Sequence, residues 1–334
     1  MTSPVPERGP ASPEDFRDIL NACRPLILRN QVATWPAVEA GRKGPAAFAD
    51  YVLGFDRGLT MDAFFGRPEI KGKYYYGEGL SDFNFERRHL GFAAAVKTVV
   101  DNLAIPDSPS VYAGSVPVDE YLPGFAGANP MALLEGVEPR IWVGHESNVS
   151  CHYDAMENIA CVAAGTRRFT LYPPELIGKM YVGPLDKTMA GQPVSLAASS
   201  PPDAEKFPLF EPLRDQAMIA ELGPGDALFL PKLWWHQVEG TAPFNCLINY
   251  WWDAFRSGPD APLTAMFLAM IAIAERPEAE RAAWKAWFDH YVFRSEGHPL
   301  RHLPPGEHGA LGPLKPNNYG RLRAYVMQLL RGGR

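Results

Sequence analysis

The stretch "HYDAMEN", residues 152–158, decides how the rest of the chain is read. Side chains on a strand return to the same face every second residue, so His152 and Asp154 point together while Cys151 and Tyr153 point away. That spacing suits two ligands on one metal ion. An H-x-D triplet recurs by chance, so its weight depends on a third ligand elsewhere. "GPGDALFLPKLWWHQVEG", residues 223–240, offers one: a Gly-Pro-Gly-Asp turn, an apolar strand, a Pro-marked turn, then His236 behind two tryptophans. The 82 residues from Asp154 to His236 leave room for several strands, so a late strand can return beside an early one.

Two imidazoles and a carboxylate on one side of a divalent iron leave positions for small ligands, the arrangement of non-haem Fe(II) oxygenases. The plainer reading makes His236 a core histidine held between tryptophans. Between Arg140 and Trp252 the texture favours a mainly β fold. Eight short β-branched and aromatic runs ("RIWVGH", "VSCHYD", "NIACVAA", "RRFTLY", "MIAEL", "DALFLP", "WHQVE", "FNCLINYW") alternate with turn signals, as in a sandwich or barrel of the jelly-roll kind. A Pro-rich interruption, 176–216, is too long for an ordinary strand connection and reads as a functional lid or a mobile insertion.

The run from Trp142 to Trp252 resembles the cupin-like Jumonji C family of Fe(II)- and 2-oxoglutarate-dependent oxygenases. The likeness is greatest to its asparaginyl-hydroxylase branch, typified by the hydroxylase that inhibits the hypoxia-inducible factor. "HYD", Asn158, the Gly165–Pro174 stretch "GTRRFTLYPP", "PGD" with "PKLWWH", and "NYW" at 249–251 carry the resemblance, with a weaker echo upstream in "KYYYGEGLSD". It implies a double-stranded β-helix core with flanking helices. It also implies Fe(II) held by His152, Asp154 and His236, and 2-oxoglutarate as co-substrate. The family's basic residue, usually lysine, falls fifteen positions after the first ligand, where Arg167 stands; its two-pronged guanidinium suits a carboxylate, with Arg168 as a competitor. By the same resemblance Tyr75 would touch that carboxylate, and Asn158 and Asn249 would hydrogen-bond the keto acid or its surroundings. Ser150 matches a family threonine when one residue is removed from the alignment. Trp142, Phe169, Trp234 and Trp251 are candidates to shape the cavity. The implied reaction is hydroxylation, of a protein side chain or a small molecule. The rival readings are a metal-binding cupin of other chemistry and a non-catalytic, ligand-sensing cupin.

The remaining histidines read as bystanders. A fourth ligand would occupy a position that dioxygen or the keto acid needs, so His145 reads as a strand-end residue near the surface, and His298, His302 and His308 as exposed loop residues.

Around this core, residues 1–13 carry four prolines and read as a disordered arm. Order should begin at "SPEDFRDIL", where Ser12 caps, Pro13 takes the first helical position and Glu14 and Asp15 complement the positive helix end. The catalytic domain is expected over 14–260, with core strands in 140–252, and a helical dimerisation region over 261–334. The twelve-residue apolar run Leu263–Ala274 is too short to span a bilayer and reads as a buried helix. Trp284, Trp287, Phe288 and Tyr291 share one face of a following helix. Such apolar faces, with the family resemblance, point to a homodimer.

The 334 residues carry a net charge of −6, which gives no general reason to expect nucleic acid. The charge is uneven: seven basic residues from Arg294 onward against Glu296 and Glu307 make that tail +5, read as a solvated helix face or an intersubunit surface, with a polyanion contact as the alternative. Four cysteines without C-x-x-C spacing, and no secretory leader, fit a reducing cytoplasm.

Overall fold

The computed structural model describes residues 2–332 apart from 81, 190, 257, 259, 314 and 315; Met1, Ser81, Lys315 and Arg334, singled out above, lie outside the described residues. It divides into two compact units, Met1–Asp253 and Ala254–Arg334.

The first unit is built on one large mixed sheet. Its strands are β1 (Ser3–Pro4), β2 (Glu7–Arg8), β3 (Leu26–Leu28), β4 (Thr60–Gly66), β5 (Lys73–Tyr74), β6 (Phe85–Gly91) and β7 (Ser110–Pro117). They are followed by β8 (Pro139–His152), β9 (Glu157–Ala164), β10 (Arg167–Tyr172), β11 (Met218–Leu222), β12 (Ala227–Leu230) and β13 (Trp235–Trp252). The main path runs β2-β3-β12-β9-β13-β8-β7-β4-β6, and β10 bridges β11 and β13.

The strand β13 organises the whole. Its first half lies between β10 and the end of β8, and its second half between β9 and the start of β8. The eight runs expected from the sequence are therefore six strands here, because "RIWVGH" with "VSCHYD", and "WHQVE" with "FNCLINYW", each form one long strand. Register shifts between His236 and Val238 and between Gly240 and Phe244 explain why they read as separate. A bulge adds unpaired residues, bends the strand and changes which parity faces inward. Before the second shift His236 and Val238 face the barrel interior; after it Leu247, Asn249 and Trp251 do.

The alternation elsewhere is regular. Along β9, Ile159, Cys161 and Ala163 pack into the larger core beside the helices Pro36–Lys43, Pro45–Leu53 and Phe92–Asn102, whereas Ala160 and Val162 join the interior with Phe169 and Leu171 of β10. Gly165 makes the turn between these strands at φ +72, and a Cβ there would stand 2.3 Å from the Phe244 carbonyl oxygen. Only glycine fits that close approach without strain.

The amino terminus departs from expectation. It is not a disordered arm: β1 pairs in parallel with β11, β2 pairs in parallel with β3, and Val5 is buried. Backbone hydrogen bonds to a sheet edge hold this segment, so its Pro-rich side chains gave no sign of it. The first helix, Pro13–Ala22, begins as read, with a capping box between Ser12 and Asp15.

The stretch 176–216 is docked in the structure. Met180, Ala197, Phe207 and Phe210 form a cluster with Cys151, Tyr153, Tyr172 and Trp235, and the Ser195 amide donates to the Cys151 carbonyl at 2.7 Å.

In the second unit the helix Pro262–Ile273 is not buried as its composition suggests: none of its residues is buried, and Ile271 is 84% exposed. The helix Glu278–Phe288 carries Trp284 and Trp287 in ring contact at 6.2 Å, also exposed. His298 and His308 are half-buried and stacked at 4.3 Å, each bonded to a backbone carbonyl, so they are not exposed loop residues; His302 is exposed. No helix among the described residues is long and apolar enough to cross a membrane. All four cysteines are free, and three are buried.

Candidate metal centre

His152 closes β8, and His236 stands directly opposite it near the start of β13 as its register partner. The two rings lie 4.2 Å apart between centroids. Asp154 follows β8 by two residues and keeps its parity: Cys151 and Tyr153 pack outward in the cluster around Trp235, while His152 and Asp154 face the cavity. One ligand atom from each of His152, Asp154 and His236 lies within 4.8 Å of the others. The Leu233 amide donates to the Asp154 carbonyl at 2.7 Å, which ties the loop carrying the carboxylate to the turn before His236.

The hydrogen bonds orient both imidazoles. Nδ1 of His152 lies 2.8 Å from the Ser150 carbonyl oxygen, and Nδ1 of His236 lies 2.9 Å from that of Trp234. A carbonyl only accepts, so each Nδ1 carries the proton and each Nε2 presents a lone pair, as outer partners of metal-bound histidines do. Nε2 of His236 approaches Asp154 Oδ2 at 3.6 Å. Burial, and next the neighbouring His152, push the pKa of His236 down to about 4 against the opposing pull of Asp154, so its imidazole is neutral and ready to ligate. Asp154 Oδ2 is buried and has no hydrogen-bond partner. A buried carboxylate oxygen without a donor is costly, and a divalent cation is the partner this donor set fits.

The cavity beside these ligands holds about 960 Å³ including its open mouth. Its inner wall contains Tyr74, Tyr112, Trp142, Ser150, Asn158, Phe169, Asn249 and Trp251. A hydrogen-bond relay runs along it: Trp142 Nε1 donates to Asn249 Oδ1 at 2.7 Å, and Asn249 Nδ2 donates to Asn158 Oδ1 at 3.1 Å. Asn249 thus spends its amide on orienting Asn158, whose own Nδ2 is left for the cavity. Ser150 lines the cavity and donates to the Tyr74 carbonyl at 2.9 Å.

The two arginines separate cleanly. Arg168 points outward and pairs with Glu221 at 2.8 Å on the exposed surface. Arg167, on the same face of β10 as Phe169, is 1% exposed; its Nε, Nη1 and Nη2 make no well-formed hydrogen bond, and the Tyr112 phenol is the polar group beside it. The phenol of Tyr112, itself buried and raised in pKa by desolvation, feels this cation as the main opposing influence. A buried guanidinium is costly unless an anion or other acceptor pairs with it.

Three sequence expectations need correction. Tyr75 does not face the cavity; it turns toward Tyr76 and Ser200, while Tyr74 lines the wall with its hydroxyl 3.1 Å from Ser110 Oγ. Trp234 lies in the interior core and is not part of the lining, unlike Trp142, Phe169 and Trp251. His145 is not near the surface: Nδ1 accepts from the Val111 amide, Nε2 donates to the Val99 carbonyl, and burial lowers its pKa. The sequence reading also missed Tyr112 and the outer wall of Phe64, Phe85, Met189, Gln192 and Val194. These come from elements far along the chain and carry no local motif.

A cupin-like domain model matches residues 12–258. The chain belongs to the cupin-like family. HSPB1-associated protein 1 of Bos taurus is 27% identical over 219 residues, 63% of this chain and 41% of that protein. Jumonji C domain-containing protein 5 of Drosophila melanogaster is 30% identical over 266 residues, 75% of this chain and 60% of that protein. The human bifunctional peptidase and (3S)-lysyl hydroxylase JMJD7 is 24% identical over 300 residues, 76% of this chain and 84% of that protein. The chain thus matches less than half the length of the mammalian HSPB1-associated proteins. Jumonji C relatives and the His–Asp–His constellation support a family of the 2-oxoglutarate-oxygenase type, while these relatives do not single out the asparaginyl-hydroxylase branch.

Proposed function

We propose that this protein is an Fe(II)- and 2-oxoglutarate-dependent oxygenase that hydroxylates a protein side chain. The observation that carries the reading is the His–Asp–His set with its unsatisfied carboxylate oxygen, supported by a buried guanidinium that lies behind the cavity wall beside Tyr112. Asp154 Oδ2 completes a His–Asp–His set, and the Arg167 guanidinium lies buried without an anion. When bound, iron and the keto acid would supply oxidation of a C–H bond by dioxygen, with release of succinate and carbon dioxide. The chain's own part is placement. His152, Asp154 and His236 would hold the ion, Arg167 the distal carboxylate of the keto acid, and Asn158, aimed by Asn249 and Trp142, would donate to its oxygens. Phe169, Trp251 and Leu247 keep water from the interior. A relative named as a lysyl hydroxylase is consistent with a protein substrate.

An anaerobic titration with Fe(II) and 2-oxoglutarate tests this. A visible charge-transfer band is expected, absent in His152→Ala and weakened in Arg167→Ala. Metal binding without any keto-acid band would favour a cupin of other chemistry.

We further propose that the second unit joins two copies. On the helix Pro316–Leu330, Leu322, Tyr325, Val326, Leu329 and Leu330 recur at i, i+3, i+4, i+7 and i+8, and all are between 37% and 61% exposed. An apolar stripe of that period is the seam helices use to pack on one another.

A further inference from the structure

We infer that the side chain this oxygenase accepts is uncharged and largely apolar, and that lysine and arginine are excluded as the hydroxylated residue. The inference rests on the reading above and concerns the outer part of the same cavity. Beside the three candidate ligands and the asparagine relay, the lining includes Phe64 and Phe85 from the paired strands β4 and β6, Met189, Gln192 and Val194 from the docked stretch, and Trp251, which reaches from the inner wall to this part. Gln192 and the Trp251 indole N–H, which is buried without a hydrogen-bond partner, are the polar groups among these, and neither carries a charge. Asp154 is the sole carboxylate in the described lining, and the metal claims it.

The nearest charges reinforce this. Arg87 stacks over Phe64 with its guanidinium carbon 5.5 Å from the ring centroid, and donates to the Met189 carbonyl at 2.9 Å. A fixed cation therefore backs the same wall a substrate must pass. Among the described carboxylates on this side, Glu86 is exposed and held by Arg88 at 2.8 Å, and Asp186 is exposed, felt by Tyr76 and outside the lining. An ammonium group pushed into this cavity would lose its water and gain no counter-ion from the described lining beyond Asp154, which is strongly unfavourable. An aliphatic chain would lose only water. The reaction is then R–H + O₂ + 2-oxoglutarate → R–OH + succinate + CO₂, with R an apolar side chain and no charge to accommodate.

Two probes of equal length test this: N-acetyl-lysine methylamide, and its analogue with a methyl group in place of the ammonium. Each is titrated by calorimetry into the full chain loaded with Mn(II) and 2-oxoglutarate under anaerobic conditions. The methyl probe is expected to bind at least about tenfold tighter. Gln192→Glu, a near-isosteric change that adds a carboxylate to the outer wall, is expected to reverse the order. Because this is a gain of lysine binding, misfolding cannot mimic it. Lysine preference in the parent protein, binding of neither probe while 2-oxoglutarate binds, or an unchanged order in Gln192→Glu overturns the inference. Failure of 2-oxoglutarate itself to bind sinks the oxygenase reading instead, so the two failures are distinguishable.

Discussion

His152 and His236 are direct cross-strand partners, yet they lie 84 residues apart in the chain, and each hands its Nδ1 proton to a carbonyl two residues before it. The same local geometry is thus built twice, once at the end of β8 and once at the start of β13, and the two lone pairs converge on Asp154. The scaffold brings one candidate ligand atom from each of the three residues within 4.8 Å of the others.

That preorganisation predicts opposite effects on the two states. Asp154→Ala removes a buried carboxylate oxygen that has no donor. The metal-free protein should melt at the parent's temperature or slightly above it. The stabilisation on adding Fe(II) or Co(II), about 3–4 kcal/mol at saturating metal and read as a rise in melting temperature, should disappear. Thermal scans with and without metal decide this; a marked loss of stability in the metal-free variant would mean that Asp154 has a structural partner.

Arg167 should behave likewise toward the keto acid. Arg167→Met keeps the length and apolar bulk of the side chain but removes a buried cation without an anion. Replacing such a charge by a hydrophobe is expected to stabilise the protein by about 1–3 kcal/mol, while 2-oxoglutarate affinity falls by at least about a hundredfold, the order for a lost charge-assisted pair. Arg168→Ala, which breaks only a surface pair with Glu221, should change neither by more than about 0.5 kcal/mol. Denaturant melts and keto-acid titrations on the two variants read both quantities.

The three residues that come together were legible in the sequence because their spacing is local: parity joins His152 to Asp154, and a turn-strand-turn pattern leads to His236. The sequence carried the barrel through its short β runs. What it could not carry was anything set by a bulge or by backbone alone. The parity of β13 changes between Gly240 and Phe244, so a count from His236 would have sent Asn249 outward. In "KYYYG", three identical side chains give no clue to which faces inward, and pairing of Lys73 and Tyr74 with β8 selects Tyr74. The strands Ser3–Pro4 and Glu7–Arg8 pair through their backbone, where composition reads as loop. Composition also misjudged Pro262–Ile273: it reports how apolar a helix is, not what covers it.

The tyrosine correction is itself testable. Tyr74→Phe removes a hydroxyl bonded to Ser110 on the cavity wall, whereas Tyr75→Phe removes one that faces Ser200. The first should weaken 2-oxoglutarate binding severalfold, about 1 kcal/mol for one hydrogen-bonding group. The second should leave it unchanged. Sensitivity at Tyr75 with none at Tyr74 would restore the alignment-based assignment.

The stretch 176–216 is pinned by a carboxylate, and acid should release it. Glu211 accepts from Arg214 at 2.7 and 2.9 Å and from the Asp203 amide at 3.1 Å, while Arg214 also donates to the Ala197 carbonyl. The Arg214 hydrogen bonds hold the Glu211 carboxyl below its usual range. A carboxyl whose folded pKa is depressed adds stability that is fully present above its unfolded pKa of about 4.3 and is lost as pH falls through the folded value. Amide exchange over 197–216, taken relative to the unprotected rate at each pH, should therefore speed up below about pH 4.3, ahead of β9 and β13. In Glu211→Gln it should be fast and nearly independent of pH across that window, with a cost of about 1 kcal/mol. Met189, Gln192 and Val194 belong to this stretch and form the outer cavity wall, so the same variant should weaken binding of an apolar substrate probe without altering metal affinity. If exchange in 197–216 tracks the core strands at every pH, the ion pair is ornamental and the wall is held by the Phe207 and Phe210 packing instead.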